Sequence, residues 1–216
     1  IKLTFNVPPL LAVGGELKNT FCVARDHYAF LSHHIGDMEN LETLKSFEDG
    51  VTHFQNLFRI NPEIIAHDLH PDYFSTRYAL RIPHSAIRIP VQHHHAHIAS
   101  CMCENGLKNE KVIGVAFDGT GLGEDNTLWG AEFLICDYSD YERVAHLKEI
   151  PLLGGERAIL EPWRLGAMWL YMLYQGRLFN LDIEFVRRID KRRWKVLYDM
   201  YRKNFNTPLA SSMGRL

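Results

Sequence analysis

Residues 91–97 read Val-Gln-His-His-His-Ala-His, and four of the five positions from His93 to His97 are histidine. If these residues open a helix, His93 and His97 stand four positions apart, about 40° around the axis, with both rings on one face. A helix offers two imidazoles to one metal ion in this way. Two imidazoles leave coordination positions to be filled by another residue, water or substrate, and an open position separates a catalytic metal from a structural one. The alternative is a solvated or packed histidine cluster. The run is internal and flanked by apolar residues, which argues against a purification tag.

Further constellations carry polar groups at backbone turns. Asp118-Gly119-Thr120-Gly121-Leu122-Gly123 directly follows an apolar run. Glycines let backbone N–H groups close around phosphate oxygens, and an aspartate there can hold a metal ion. The stretch resembles a dinucleotide-binding G-x-G-x-x-G only loosely, because no helix follows it. Gly14-Gly15-Glu16-Leu17-Lys18-Asn19 is a comparable turn in which Lys18 and Asn19 could donate to an anion. His67-Asp68-Leu69-His70-Pro71-Asp72 sits at the end of an apolar stretch, where α/β sheets place ligand residues, although capping and loop hydrogen bonds explain it equally well. Glu161-Pro162-Trp163-Arg164 opens a helical pattern. Glu161 is favoured there by the helix dipole alone, and Arg164 could pair with a phosphate or with Glu161.

The elements that must position these groups follow from periodicity. Residues 10–13, 20–25 and 28–33 read as strands, with the glycine pair 14–15 closing a hairpin. Leu41, Leu44, Phe47, Val51, Phe54 and Leu57 recur at helical spacing within a helix expected over 38–58. A strand at 63–68 and a helix at 71–80, with proline in its first turn, follow. Then come a strand at 87–91 and a helix that includes 98–105. Residues 112–117, 127–136 and 141–147 read as strands, and helical stretches lie at 162–175 and 183–204. The order predicts an α/β protein in two units, 1–110 and 111–216, each opening with a glycine-rich β-turn, with residues 105–111 as the boundary.

Composition bounds the function. The chain has 216 residues, 46% hydrophobic and 23% charged, as in an ordinary globular protein. A net charge of −2 supplies no global basic field for nucleic acid, and the basic cluster Arg187, Arg188, Lys191, Arg192, Arg193 and Lys195 reads as a solvated helix face. No run of 18 apolar residues spans a membrane, and no signal peptide is visible. Cys22, Cys101, Cys103 and Cys136 include no C-x-x-C pair, so reduced thiols in a cytoplasmic protein are expected.

Taken together, the motifs resemble the hydrogenase-maturation carbamoyltransferase family HypF. The resemblance rests on residues 86–97, on Gly15 to Phe21, on His34-Ile35-Gly36-Asp37-Met38-Glu39-Asn40, and on His67 to Tyr73. It also rests on Asp118-Gly119-Thr120-Gly121 with Leu128-Trp129-Gly130, and on Glu161-Pro162-Trp163-Arg164. They fall in family order from about Leu11 to Leu216. The resemblance implies an actin-like ATPase (ribonuclease H-like) fold related to the tRNA threonylcarbamoyl transferases, with a first lobe and the beginning of a second. It implies that carbamoyl phosphate and ATP, with Mg, give carbamoyladenylate, whose carbamoyl group passes to the C-terminal cysteine of the partner HypE. The thiocarbamate later becomes a cyanide ligand of nickel–iron hydrogenase.

By the same resemblance His93, His97 and Asp118 would be catalytic residues and ligands of one divalent metal, zinc or iron. Gly14, Gly15, Lys18, Asn19, Gly119, Thr120 and Gly121 would face nucleotide phosphates, and His67, His70, Glu161 and Arg164 would be substrate residues. Glu156 stands where the family usually has aspartate, and Ala131 where it usually has glycine. The family pattern continues beyond both ends of the chain, with acylphosphatase-like, zinc-finger and adenylate-forming domains before Ile1 and the rest of the second lobe after Leu216. A truncated fragment is therefore expected. Two other readings stay open: a related carbamoyltransferase acting on a small-molecule hydroxyl, and a non-catalytic nucleotide-binding docking module.

Overall fold

The computed structural model describes residues 1–82 and 86–215. Leu216, the last residue of the family-like stretch, lies outside the described residues. The chain divides into two compact units, one of Ile1–Val112 with Cys136–Tyr141, the other of Ile113–Ile135 with Glu142–Leu216. A single cut at Lys111 does not describe Cys136–Tyr141, which packs with the first unit. Among the described residues no helix is long and apolar enough to cross a membrane.

The first unit is a four-stranded sheet with helices, in the order β1 (Lys2–Ala12), β2 (Cys22–Leu31), α1 (Leu41–Phe58), β3 (Ile64–Asp68), α2 (Phe74–Arg81), β4 (Ile87–Val91) and α3 (His93–Glu104). Its spatial order is β2-β1-β3-β4, antiparallel between β1 and β2 and parallel elsewhere. The parallel pairs need crossovers, and α1 and α2 supply them. Two expected strands at 20–25 and 28–33 are one strand. Asp26 takes a left-handed φ of 54° opposite Val7, and the register shifts around it absorb what reads in sequence as a break. β1 also starts eight residues earlier than expected, because the pair Pro8-Pro9 falls at a register shift where missing N–H donors are tolerated.

Helix α1 starts at Leu41 because the Asn40 side chain accepts from Glu42 N at 2.8 Å, three residues later than the apolar spacing alone indicates. Its buried stripe is Phe47 and Val51, packed with Leu11, Val13, Phe21, Val23 and Ile65. Leu41 and Leu57, expected on that stripe, are exposed. Phe21 meets Phe47 and Phe54 edge-on at ring separations of 5.7 and 5.0 Å, so the inner end of the β1–β2 hairpin is clamped to α1. Helix α2 begins at Phe74 rather than Pro71, and the Glu16 carboxylate accepts from Phe74 N at 2.7 Å, capping it from the hairpin loop.

The second unit contains β5 (Val112–Leu122), β6 (Leu128–Cys136), β7 (Tyr141–His146), β8 (Ile150–Pro151), α4 (Arg157–Leu160), α5 (Trp163–Leu173), α6 (Glu184–Arg188), α7 (Lys191–Arg202) and β9 (Leu209–Ala210). Its strands run β5-β6-β9-β8, with β7 also on β6. The core joins Ile150, Leu152, Leu153 and Ala210 to Leu165, Met168, Leu178, Trp194 and Leu197. The stretch expected as one helix over 183–204 is two, because Asp190 turns out of the helix and its carboxylate caps Arg192 N and Arg193 N. The short elements β8, α4 and β9 are too brief to leave a period in the sequence. In the basic cluster, Arg187, Arg188 and Arg193 pair with Asp182, Glu184 and Glu161, as a solvated helix face does.

One buried carboxylate ties this second sheet together. Glu132, fully buried on β6, receives Arg143 Nε from β7 at 2.6 Å, the Ser211 hydroxyl, and the N–H groups of Gly130 and Ala131. Arg143 also reaches Asp125 at 3.1 Å and lies 4.2 Å over the Trp129 ring. Burial alone would raise the Glu132 carboxyl, but the hydrogen bonds from Arg143, Ser211 and Gly130 outweigh it and hold the group below its ordinary 4.5. A lowered folded value means that the contribution to stability is complete above pH 4.5 and is lost as the pH falls through the folded value. Glu132→Gln is expected to cost about 2–3 kcal/mol at pH 7, since it removes the buried partner of Arg143 and leaves it Asp125 alone as a counter-charge. Urea denaturation at pH 7 and below pH 4.5 should show the gap to wild type narrowing in acid; a constant gap would mean that the charge is not what Glu132 contributes.

Candidate functional site

Helix α3 begins at the first histidine because Gln92 caps it. The Gln92 side-chain oxygen accepts from His94 N at 2.7 Å and His95 N at 3.0 Å, and Gln92 itself is buried. This start gives the four histidines separate jobs. His94 is fully buried, and its Nδ1 lies 3.2 Å from Gln92 Nε2. His95 donates from Nε2 to the Asp137 carbonyl at 2.7 Å and packs against Tyr141 within the first unit. His93 and His97 share the remaining face, with ring centroids 4.8 Å apart.

That face lines a cleft of about 490 Å³ in the first unit, together with Gly14, Gly15, Thr20, His67 and Asp68. Asp68, at the end of β3, places Oδ2 2.7 Å from His93 Nδ1, and its side chain is only 6% exposed. The sequence places Asp68 at the end of a strand, where a ligand role and capping read equally well, and spacing alone does not pair it with His93. The signal that could have found it is its place at the last position of a parallel strand next to the strand that leads into the histidines. Two imidazoles on one helical face, one of them braced by a carboxylate, fit the nitrogen and oxygen preferences of zinc or ferrous iron.

The first glycine turn is a long loop between β1 and β2. Gly14 has φ +72°, and a Cβ there would lie 2.2 Å from the Thr20 carbonyl oxygen. Asn19, buried, donates from Nδ2 to the carbonyls of Val13 at 2.9 Å and Gly15 at 2.6 Å. Both amide hydrogens are therefore spent inside the loop, and Asn19 shapes the turn instead of donating to a ligand. Lys18 is exposed, in a left-handed conformation, and its N–H donates to Asp37. The Gly14 carbonyl accepts from Ser75, and burial foremost raises the Glu16 carboxyl that caps α2 beside it.

In the second unit Asp118, Gly119, Thr120 and Gly121 belong to strand β5, and the chain reverses only at Gly123–Thr127, where Gly123 N donates to the Thr127 carbonyl. Asp118 Oδ1 accepts from Gly119 N at 2.6 Å. The Ser212 hydroxyl donates to the Gly119 carbonyl at 2.6 Å, and Arg215 Nη2 lies 3.4 Å from the Thr120 hydroxyl. Ser212 and Arg215, two close neighbours of this stretch, come from a tail whose sequence shows no periodic signal.

Four residues expected to meet substrate are placed differently. His67 lines the cleft while donating from Nδ1 to the Asp68 carbonyl at 2.8 Å. His70 stacks on Tyr73 at 4.3 Å and accepts from Asp72 N, outside the cleft lining. Glu161 accepts from Trp163, Arg164 and Arg193, and the Arg164 bond foremost lowers its carboxyl. Arg164 also donates to the Leu153 carbonyl at 3.0 Å. Glu161 and Arg164 thus clasp the start of α5, because a planar guanidinium three residues on from an acidic one, less than a full turn away, finds its partner locally.

Residues 5–104 match the HypF Kae1-like domain, and residues 114–216 match the second subdomain of the carbamoyltransferase Kae1-like domain. The chain belongs to the HypF family. It is 43% identical over its whole length to carbamoyltransferase HypF2 of Cupriavidus necator, covering 26% of that protein. It is 39% identical to carbamoyltransferase HypF of Synechocystis sp., over 96% of this chain and 28% of that protein. The chain therefore spans about a quarter of the length of the curated relatives it matches. A crystal structure of full-length HypF in the phosphate- and nucleotide-bound form superposes on all of this chain, and on 33% of that one, with a TM-score of 0.91 and 44% identity. The fold is thus the actin-like, ribonuclease H-like α/β fold of HypF Kae1-like domains.

The two glycines of the first loop are expected to differ in tolerance. Gly14→Ala should cost at least about 2 kcal/mol in denaturation, from left-handed strain and the clash with Thr20. A Cβ on Gly15 would sit 3.7 Å from His93 Cε1, an ordinary contact, so Gly15→Ala should cost less than about 1 kcal/mol. Equal costs would show that the Gly14 conformation is not the constraint.

Proposed function

We propose that this chain is the transferase part of a HypF carbamoyltransferase. In this reading carbamoyl phosphate gives up inorganic phosphate to water, the resulting carbamate displaces pyrophosphate from ATP, with Mg, to form carbamoyladenylate, and the carbamoyl group passes to the C-terminal cysteine of a HypE-type maturation protein as AMP leaves. The product serves cyanide-ligand synthesis for nickel–iron hydrogenase in the cytoplasm. The observation that carries the proposal is the pair His93 and His97 on one face of α3, lining a cleft with the Gly14-Gly15 loop.

His93, His97 and Asp118 are the proposed ligands of one divalent metal, zinc or iron. When bound, the metal supplies positive charge that offsets the phosphoryl oxygens of the adenylate and of the AMP leaving group. The rest falls to the chain's own residues. The Gly14-Gly15 loop brings backbone close to the ligand, and Lys18, exposed on that loop, offers a cation. Gly119, Thr120 and Gly121 are the corresponding phosphate-facing stretch of the second unit. Holding the adenylate by its phosphate leaves the carbamoyl carbon for an incoming thiolate. The nucleophile comes from the partner. Burial pushes the Cys22 thiol up to about 11, which suits a packing residue and not a nucleophile.

The test uses the complete parent protein with ATP, carbamoyl phosphate and the HypE-type partner, and reads the partner's intact mass. One carbamoyl group should be added. His93→Ala should slow the addition by at least about a hundredfold, since a lost metal ligand removes several kcal/mol of charge stabilisation. Carbamoylation by His93→Ala at the wild-type rate would remove the histidine pair from the mechanism.

A further inference from the structure

We propose that Asp68 is a positioning residue for the metal, acting through His93. The inference rests on the histidine pair being a metal site and adds the group that aims one of its ligands. An imidazole has two nitrogens, and which one faces a metal is set by the hydrogen bond the other makes. Here Asp68 Oδ2 lies 2.7 Å from His93 Nδ1, so the carboxylate accepts from Nδ1–H and leaves the ring's lone pair on Nε2.

The carboxylate is itself held. Its other oxygen accepts from His70 N at 2.8 Å, and its main-chain carbonyl accepts from Thr76 at 3.3 Å and from the His67 ring. Parallel pairing sets the distance to the histidine. Asp68 is in register with Val91, the last residue of β4, and His93 follows two residues later. A one-residue slip of β3 against β4 would turn the aspartate to the other face of the sheet. The carboxylate is therefore delivered by the sheet and the imidazole by the capped helix, and their meeting is a property of the fold.

A buried aspartate–histidine pair can also be merely structural. The two roles differ in what they move. A positioning residue changes metal affinity and leaves the metal-free protein as stable as before. A structural one lowers the stability of the metal-free protein and leaves affinity alone.

The experiment measures zinc affinity of the complete protein by chelator competition, and its thermal midpoint in the presence of a strong chelator. It compares wild type, Asp68→Asn, Asp68→Glu, His93→Ala and the Asp68→Asn/His93→Ala double variant. Asp68→Asn keeps the shape and weakens the acceptor, and it should bind zinc about 10–100-fold more weakly with little change in midpoint. Asp68→Glu should recover part of the loss, and it provides the measurement where the asparagine variant does not fold. In the double variant the aspartate substitution should add nothing to the loss caused by His93→Ala, because its effect runs through that ring.

Wild-type affinity in both single Asp68 variants, with a lowered midpoint, would overturn the inference and leave a structural pair. Losses that add in the double variant would also overturn it. If wild type bound no zinc in a His93-dependent way, the site itself would fail, and this inference with it.

Discussion

The arrangement of the first unit turns on one cap. Gln92 lies between β4 and α3, and its side-chain oxygen satisfies two of the N–H groups that a helix start leaves without internal partners. With the helix beginning at His93, position 97 returns to the same face, position 94 enters the core and position 95 reaches the Asp137 carbonyl. A start one residue later would rotate every histidine by about 100° relative to the sheet. Four imidazoles close in sequence thus become two structural rings and two that line a cleft.

The remainder of the first unit can be understood as support for that face. The β1–β2 loop is closed by Asn19 across its own carbonyls, and it is joined to α2 through Glu16 at Phe74 N and through Ser75 at the Gly14 carbonyl. A loop so tied presents its backbone in a fixed shape, which anion recognition by N–H groups requires. The second unit solves a similar problem with charge. Glu132 and Arg143, nearly out of solvent, join β6, β7 and the Ser211 segment, and Ser212 and Arg215 lie along the glycine-rich end of β5.

Much of this was readable from the chain itself. The strand at 87–91 and the amphipathic helix through Phe47 and Val51 follow from periodicity, and the Gly14-Gly15 loop follows from what glycine permits, whereas Gly119 and Gly121 lie within β5 and not in the turn that follows it. The remainder depended on partners that sequence spacing does not reveal. Asp26 merges two apparent strands by a bulge in a left-handed conformation, and Asp190 splits one apparent helix because its side chain caps the backbone. Asn19, Glu161 and Arg164 have the chemistry of ligand residues, yet their groups are engaged by carbonyls and charges within their own units. Asp68 shows the reverse: a strand-end aspartate that capping would explain equally well in sequence, whose partner is His93 at the start of α3, 25 residues later.

The central claim is that His93 and His97 bind one metal ion through the nitrogens that face the cleft. Anomalous diffraction from crystals of the complete protein, collected on both sides of the zinc absorption edge after loading with zinc, tests it most directly. The account predicts an edge-dependent peak at bonding distance from both rings, about 2.0–2.1 Å from each nitrogen, with the His93 bond made by Nε2. A peak elsewhere in the protein, with neither imidazole among its ligands, would contradict it.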